Sequence, residues 1–236
     1  TDIVGQNRES ARILDEYKYM PTIAIIGTSR GIGLDLLRTY ARAGWTVHGT
    51  VRDLNNPGRA GDVNGDVHLH RLEVRDHVQL DQLADALGET PLDILIHNAG
   101  VIGKGMTQDE VNAVNADAPI RVAEKLLPNV AASKQKKLAL MTSQLGARQG
   151  RTGSLGVYGE SKAALNDAFR ARSSEWAKQG VTSVALHPGW VRTDMGGQRA
   201  NLSTRESVDG IIAVMSSLAP AQDGQFLTWE GREHPW

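Results

Sequence analysis

Short runs of β-branched and other apolar residues recur along this chain, each followed by a helix-length amphipathic stretch. That alternation leaves few folds open. Strands are predicted at 22–26, 46–51, 68–72, 92–97, 138–142, 182–186 and 225–228, and helices at 31–43, 76–87, about 108–130, 157–178 and 205–218. Strand–helix–strand repeats close as right-handed crossovers and build a parallel sheet covered on both faces. The expected fold class is therefore α/β, a single doubly wound domain with a mostly parallel seven-stranded sheet. No linker, low-complexity tract or internal repeat interrupts the series.

Composition narrows the partners. Lys and Arg number 26 against 27 acidic residues, so the net charge of −1 offers no field for nucleic acid and no polybasic membrane signal. The absence of cysteine excludes disulfides, thiolate metal sites and a Cys nucleophile, and fits a reducing, cytoplasmic location. No apolar run approaches the roughly 18 residues of a membrane span. Residues 1–19 carry mixed charges without the apolar block of a secretory signal, and read as a leader or extension before a domain at 20–236.

In doubly wound sheets ligands bind beyond the carboxyl ends of the strands. The first strand runs into Gly27-Thr28-Ser29-Arg30-Gly31-Ile32-Gly33, a glycine turn opening a helix. Glycines there permit a tight turn and let backbone approach a pyrophosphate, whose charge suits a helix N-terminus. The spacing is G-x3-G-x-G, not the G-x-G-x-x-G dinucleotide fingerprint, and on its own it is equally a plain turn. The fourth strand ends in Asn98-Ala99-Gly100 and the fifth in Thr142-Ser143. Tyr158 and Lys162 then share one helical face at i and i+4. Each segment has an ordinary explanation; their conjunction, in order at successive strand ends, does not.

Together these segments resemble the short-chain dehydrogenase/reductase family, over essentially 21–236. Gly27-x3-Gly31-x-Gly33, Asn98-Ala99-Gly100, Asn115, Ser143, Tyr158-x3-Lys162 and Pro188-Gly189 all fall where that family has its motifs. The stretch 187–197 and the Pro-Trp ending are similar to the C-factor-like and sniffer-like carbonyl reductase branch. The resemblance implies a Rossmann-type fold and a hydride-transferring oxidoreductase that reduces a ketone or aldehyde to an alcohol, or runs the reverse. It assigns Tyr158 as general acid/base and gives Lys162 a further bond to the nicotinamide ribose. Ser143 orients the substrate oxygen, and Asn115 holds a water that passes protons to Lys162. Cofactor contacts are implied at Gly27, Ser29, Arg30, Gly31, Ile32, Gly33, Arg52, Glu73, Val74, Asn98, Ala99, Gly100, Tyr158, Lys162, Pro188, Gly189, Val191 and Thr193. Ile26 and His97 depart from the family pattern at positions that mainly stabilise the sheet.

The chemistry asks for these residue types. A free phenol titrates near 10, and an ammonium one helical turn away is expected to lower that value. NAD is usually held by an acidic residue after the second strand, whereas a 2′-phosphate needs cations. Val51 occupies the acidic position and Arg52 follows, with Arg30 as a second cation, so NADP(H) is expected over NAD(H). A one-residue shift in register would put Asp53 beside the ribose instead. His97 and His187 lack a third ligand with suitable spacing, and no metal is expected.

Residues 190–204 read as a short lid over a small-molecule carbonyl or alcohol substrate, with Trp190 and Met195 as candidate pocket residues. Gln144, Leu145, Arg148 and Gln149 are further candidates that the sequence does not rank. The alternative function is a dinucleotide-binding signalling or regulatory protein on the same scaffold; a lyase or dehalogenase is disfavoured by the intact glycines and Lys162. Relatives commonly form a homodimer or homotetramer through two long helices, and Ala163, Ala164, Leu165, Ala168 and Phe169 could make such a contact or face the sheet.

Overall fold

The computed structural model describes residues 19–149 and 156–236. The proposed leader, but for Tyr19, lies outside them. Seven strands form one sheet: β1 (Thr22–Ile26), β2 (Thr46–Val51), β3 (Val67–Arg71), β4 (Ile94–His97), β5 (Lys137–Met141), β6 (Thr182–His187) and β7 (Phe226–Thr228). Their order is β3-β2-β1-β4-β5-β6-β7, and every neighbouring pair is parallel. The helices are α1 (Gly31–Arg42), α2 (His77–Leu87), α3 (Gln108–Asn112), α4 (Ala118–Ala131), α5 (Gly156–Arg170), α6 (Ser173–Ala177) and α7 (Thr204–Ser217).

Period-two alternation along fully buried strands supplies two cores. Ile23, Ile25, Ile94 and Ile96 point to one face and meet Leu36 and Leu37 of α1 and Ile211 and Met215 of α7. Ala24, Ile26, Leu95, Leu138 and Leu140 point to the other, against Leu80 and Leu83 of α2, Leu126 of α4, and Leu165 and Phe169 of α5. Leu165 and Phe169 thus serve this chain's own core, so the apolar run on α5 gives no argument for association. Helix starts are sealed where the sequence supplies caps. Asp76 accepts from the N–H groups of Val78 and Gln79 at α2, and Ser203 and Glu206 form a reciprocal capping box at α7.

Two predicted helices differ. The stretch 108–130 is broken by a π-helical turn, Ala113–Asp117, where the Ala118 N–H reaches back to the Ala113 carbonyl. Pro119 follows at the start of α4 and, having no N–H, cannot bond the carbonyl of Asn115, four residues earlier. The stretch 157–178 divides into α5 and α6. Arg172 Nη1 donates to the Ala168 carbonyl, so the Arg172 N–H turns to Phe169 instead and tightens the chain.

After β7 the chain folds back antiparallel, the His234 N–H donating to the Phe226 carbonyl at 2.7 Å. Trp236 packs against the rings of Phe169 and Phe226, beneath Arg170, and its carbonyl accepts from the Gln149 N–H.

Burial holds three histidines neutral: His97 is depressed to about 3 and His187 to about 4, mainly by desolvation. His48, on β2 next to the edge strand β3, is also lowered to about 4 by desolvation and its neighbours His70 and His68. An unfolded chain takes up these protons from about pH 6.5 downward while the native chain resists, so stability falls as pH drops from 6.5 toward 4. The slope is about 1.4 kcal/mol per pH unit for each of His97 and His187, less for the half-exposed His48. Urea midpoints measured between pH 7.5 and 5 check this; a midpoint independent of pH contradicts it.

Candidate active site

The strand order reverses at β1, which lies between β2 and β4, and a cleft of about 730 Å³ opens above their carboxyl ends. Backbone contact shapes its floor. Gly27 takes φ +89°, and a Cβ there would lie 2.9 Å from that of Ala99. At Gly33 a Cβ would fall 1.9 Å from the Gly27 carbonyl oxygen and 2.6 Å from Asn98 Nδ2. The turn is bonded on both sides: Asn98 Nδ2 donates to the Gly27 carbonyl at 2.8 Å, and the Gly27 N–H donates to Thr50 Oγ1 at 2.8 Å. Thr28 closes the set by donating to the Thr50 carbonyl. Helix α1 starts here with no side-chain cap and no acidic residue in its first turn. Its N-terminal N–H groups therefore face the cleft with the positive end of the helix dipole.

At one end of the cleft, Val51 and Arg52 line the wall. Asp53 does not; its carboxylate accepts from the Asn55 N–H at 3.0 Å and caps its own turn. Glu73 and Val74 also line the wall, with Glu73 bonded to Arg75 Nε at 3.2 Å. Arg59 and Arg38 are cleft residues the sequence reading missed. Arg59 sits on a short 3-10 turn, Gly58–Ala60, that no strand or helix pattern announces.

At the other end, Tyr158 and Lys162 line the same cavity as Asn98, Ala99 and Gly100. The Lys162 Nζ lies 6.0 Å from the Tyr158 ring centroid and donates to the Met141 carbonyl at 2.9 Å. Lys162 is buried, and desolvation lowers its pKa to about 8. The balance at Tyr158 corrects the sequence expectation: burial raises its pKa, and a hydrogen bond with Ser143 opposes the rise. Desolvation outweighs that hydrogen bond here. Ser143 Oγ also accepts from the Leu145 N–H at 3.1 Å.

Asn115, in the π turn, has its side chain committed. Its Oδ1 accepts from the Val101 N–H at 2.9 Å, and Nδ2 donates to the Val101 carbonyl and to Ser161 Oγ. The amide therefore pins the loop after β4 to α5. Asn115, Ser143, Gly33, Gly189 and Val191 are not on the cleft wall, whereas Ser29, Ile32, Pro188 and Thr193 are. Gly189, at φ +87°, is pressed against Leu202 and Trp229, and Val191 is buried beside Leu202 in an isolated bridge. Met195 lines the cleft. Trp190 is half-exposed, its indole N–H held by the Gly196 carbonyl at 2.9 Å.

A family profile described as short chain dehydrogenase matches residues 21–203, well over half of the chain. This protein belongs to the short-chain dehydrogenase family. Its relatives lie in the C-factor-like and sniffer-like branch. C-signal of Myxococcus xanthus is 39% identical over 155 residues, covering 62% of this chain and 93% of that protein. The carbonyl reductase Sniffer of D. melanogaster superposes with a TM-score of 0.83 at 28% identity, covering 92% of this chain and all of the other. The NADPH-bound carbonyl reductase from chicken fatty liver gives 0.79 at 30% identity with the same coverage. The dehydrogenase is an oxidoreductase on a doubly wound sheet. Among its described residues no helix is long and apolar enough to cross a membrane.

Replacing Gly33 by alanine in this dehydrogenase would drive a methyl into the Gly27 carbonyl, backbone that cannot swing away. The variant is expected to lose at least about 2 kcal/mol of stability, read as a lowered urea midpoint; an unchanged midpoint would show that the turn yields.

Proposed function

We propose that this short-chain dehydrogenase is an NADP(H)-dependent carbonyl reductase, converting a ketone or aldehyde to an alcohol or running the reverse. The observation that carries the reading is the placement of Tyr158 and Lys162 on the wall of the cleft that begins at the uncapped N-terminus of α1. The cleft fits a dinucleotide. Glycines clear the floor for a pyrophosphate, α1 presents N–H donors, and Arg30, Arg52 and Arg59 bring cations to the far end. Val51 in place of an acidic residue, with Asp53 turned to its own backbone, favours a phosphorylated ribose. The NADPH-bound state of the chicken reductase is in keeping with this choice.

When bound, the nicotinamide supplies or accepts the hydride. This chain's residues manage the proton and the geometry. Burial keeps Tyr158 protonated, so its hydroxyl is a ready donor to an alkoxide, a much stronger base. Ser143 Oγ accepts from Leu145 and shares a hydrogen bond with Tyr158; its single proton would turn to the carbonyl oxygen when substrate is bound. Lys162, fixed by Met141, holds a positive charge beside the phenol and would bond a ribose hydroxyl of the bound cofactor. Both side-chain donors of Asn115 are committed, and its Oδ1 already accepts from Val101. Its main-chain carbonyl, denied the N–H that Pro119 lacks, is the group that would hold a water on the way to Lys162. Trp190 and Met195 would offer apolar surface to the substrate, and we place the enzyme in the cytoplasm as a homodimer or homotetramer.

A signalling role is the competing reading, prompted by the name of the Myxococcus relative. The retained Tyr158–Lys162 pair weighs for hydride chemistry. Mixing the protein with NADPH and a panel of ketones, aldehydes and quinones, and following loss of nicotinamide absorbance, separates the two. Tight NADPH binding with no carbonyl reduced would favour the signalling reading.

Tyr158→Phe is expected to abolish turnover while NADPH affinity stays within about twofold, since only the proton donor is lost. Titration of cofactor fluorescence checks the second half, and full activity in this variant would sink the assignment. The reductive kcat/KM should hold level near neutrality and fall through one ionisation at about pH 8, as Lys162 loses its ammonium proton. A profile level to pH 10 contradicts that.

A further inference from the structure

Arg30 occupies the N-cap position of α1, and its Nη1 donates to Asp194 Oδ2 at 2.9 Å across 164 residues of sequence. Both side chains are largely exposed, at 70% and 75%, and both line the cleft, so the bond spans its mouth. A second contact reinforces it: Thr193 Cγ2 lies 3.4 Å from where a Gly31 Cβ would stand. The segment after Pro188-Gly189 therefore touches the glycine turn at two adjoining residues.

The cations around this end divide into two kinds. Arg38 pairs with Asp35, and Arg75 with Glu73, each partner also on the cleft wall. Arg52 and Arg59 have no ion pair among the described residues. Arg30 belongs to the paired kind, but its partner is Asp194 on the exposed segment after Pro188-Gly189, 164 residues away.

We propose that Asp194 is a specificity-determining residue that competes with the ribose 2′-phosphate for Arg30. The inference rests on the NADP(H) reading above. A guanidinium can be shared, but a phosphate drawn to Arg30 comes to lie beside the Asp194 carboxylate, and two anions on one small cation repel. The phosphate must displace Asp194 or be held less tightly. NADH lacks the 2′-phosphate and makes no such demand. Arg52 and Arg59 supply the attraction, while Asp194 sets a tax that only the phosphorylated cofactor meets.

The test is a double-mutant cycle on dissociation constants, read by nicotinamide fluorescence, for the wild type, Asp194→Asn, Arg30→Ala and the double variant. Asp194→Asn is expected to tighten NADPH about three- to fivefold and to leave NADH unchanged, as suits an exposed charge pair. In the Arg30→Ala background the same substitution should change nothing. Unchanged or weaker NADPH binding in Asp194→Asn overturns the proposal, and so does an equal gain for NADH or an equal gain without Arg30. Failure of the cofactor reading looks different: the wild type would bind NADH as tightly as NADPH, and Arg52→Ala would weaken both alike. That result removes the phosphate for which Asp194 competes.

Discussion

A lysine ammonium buried to 4% exposure is the constraint around which one end of the cleft is arranged. Burying such a charge is costly unless it is bonded, and the Met141 carbonyl at the end of β5 provides the bond. The cost shows in the lowered pKa of Lys162 and spreads to its surroundings, since the same cation helps keep the buried His97 neutral. Gly100 must remain glycine-small here: a Cβ would stand 3.1 Å from Asn115 Oδ1 and 3.7 Å from the Lys162 Nζ. The end of β4, the π turn and α5 therefore meet around one charged atom. Moving any of them would leave that atom unbonded or crowded.

The cofactor end depends on backbone rather than charge. Gly27, Gly33 and Ala99 approach so closely that three elements share one contact, and Asn98 and Thr50 lock the turn from either side. Rigidity of this kind holds the start of α1 in place without a side-chain cap. An Asp or Ser at the N-cap would satisfy the helix N–H groups by itself and compete for them. Arg30 in that position leaves them available. The helix gives up a local stabilisation of about 1 kcal/mol and gains a donor array open to an anion.

Much of this was legible in the sequence because it follows from period and punctuation. The bounds of β1 and β2 coincide with the predicted runs, and the glycine turn, Asn98-Ala99-Gly100 and the Tyr158–Lys162 pair do fall at strand ends around one cleft. What the pattern hid has physical causes. The π turn precedes Pro119, a signal present in the sequence but acting on a residue four positions earlier. The committed side chain of Asn115 and the rise in Tyr158 come from burial, which spacing does not reveal. Arg59 and Asp194 enter the cleft from irregular segments, where neither period nor motif says which way a side chain points.

The two ends of the cleft place opposite demands on charge, and the fold meets them with different solvents. Around Tyr158 and Lys162 the protein itself is the medium, so a single cation shifts equilibria and a single hydrogen bond from Ser143 opposes desolvation. Around Arg30, Arg52 and Arg59 the medium is water, where one pair is weak and screened. There the arginines differ in the carboxylates they hold: Arg30 pairs with Asp194, whereas Arg52 and Arg59 have no ion pair among the described residues. Burial shifts the proton equilibria of Tyr158 and Lys162 at one end of the cleft, while at the other the close backbone contact of Gly27, Gly33 and Ala99 fixes the floor beside the exposed arginines.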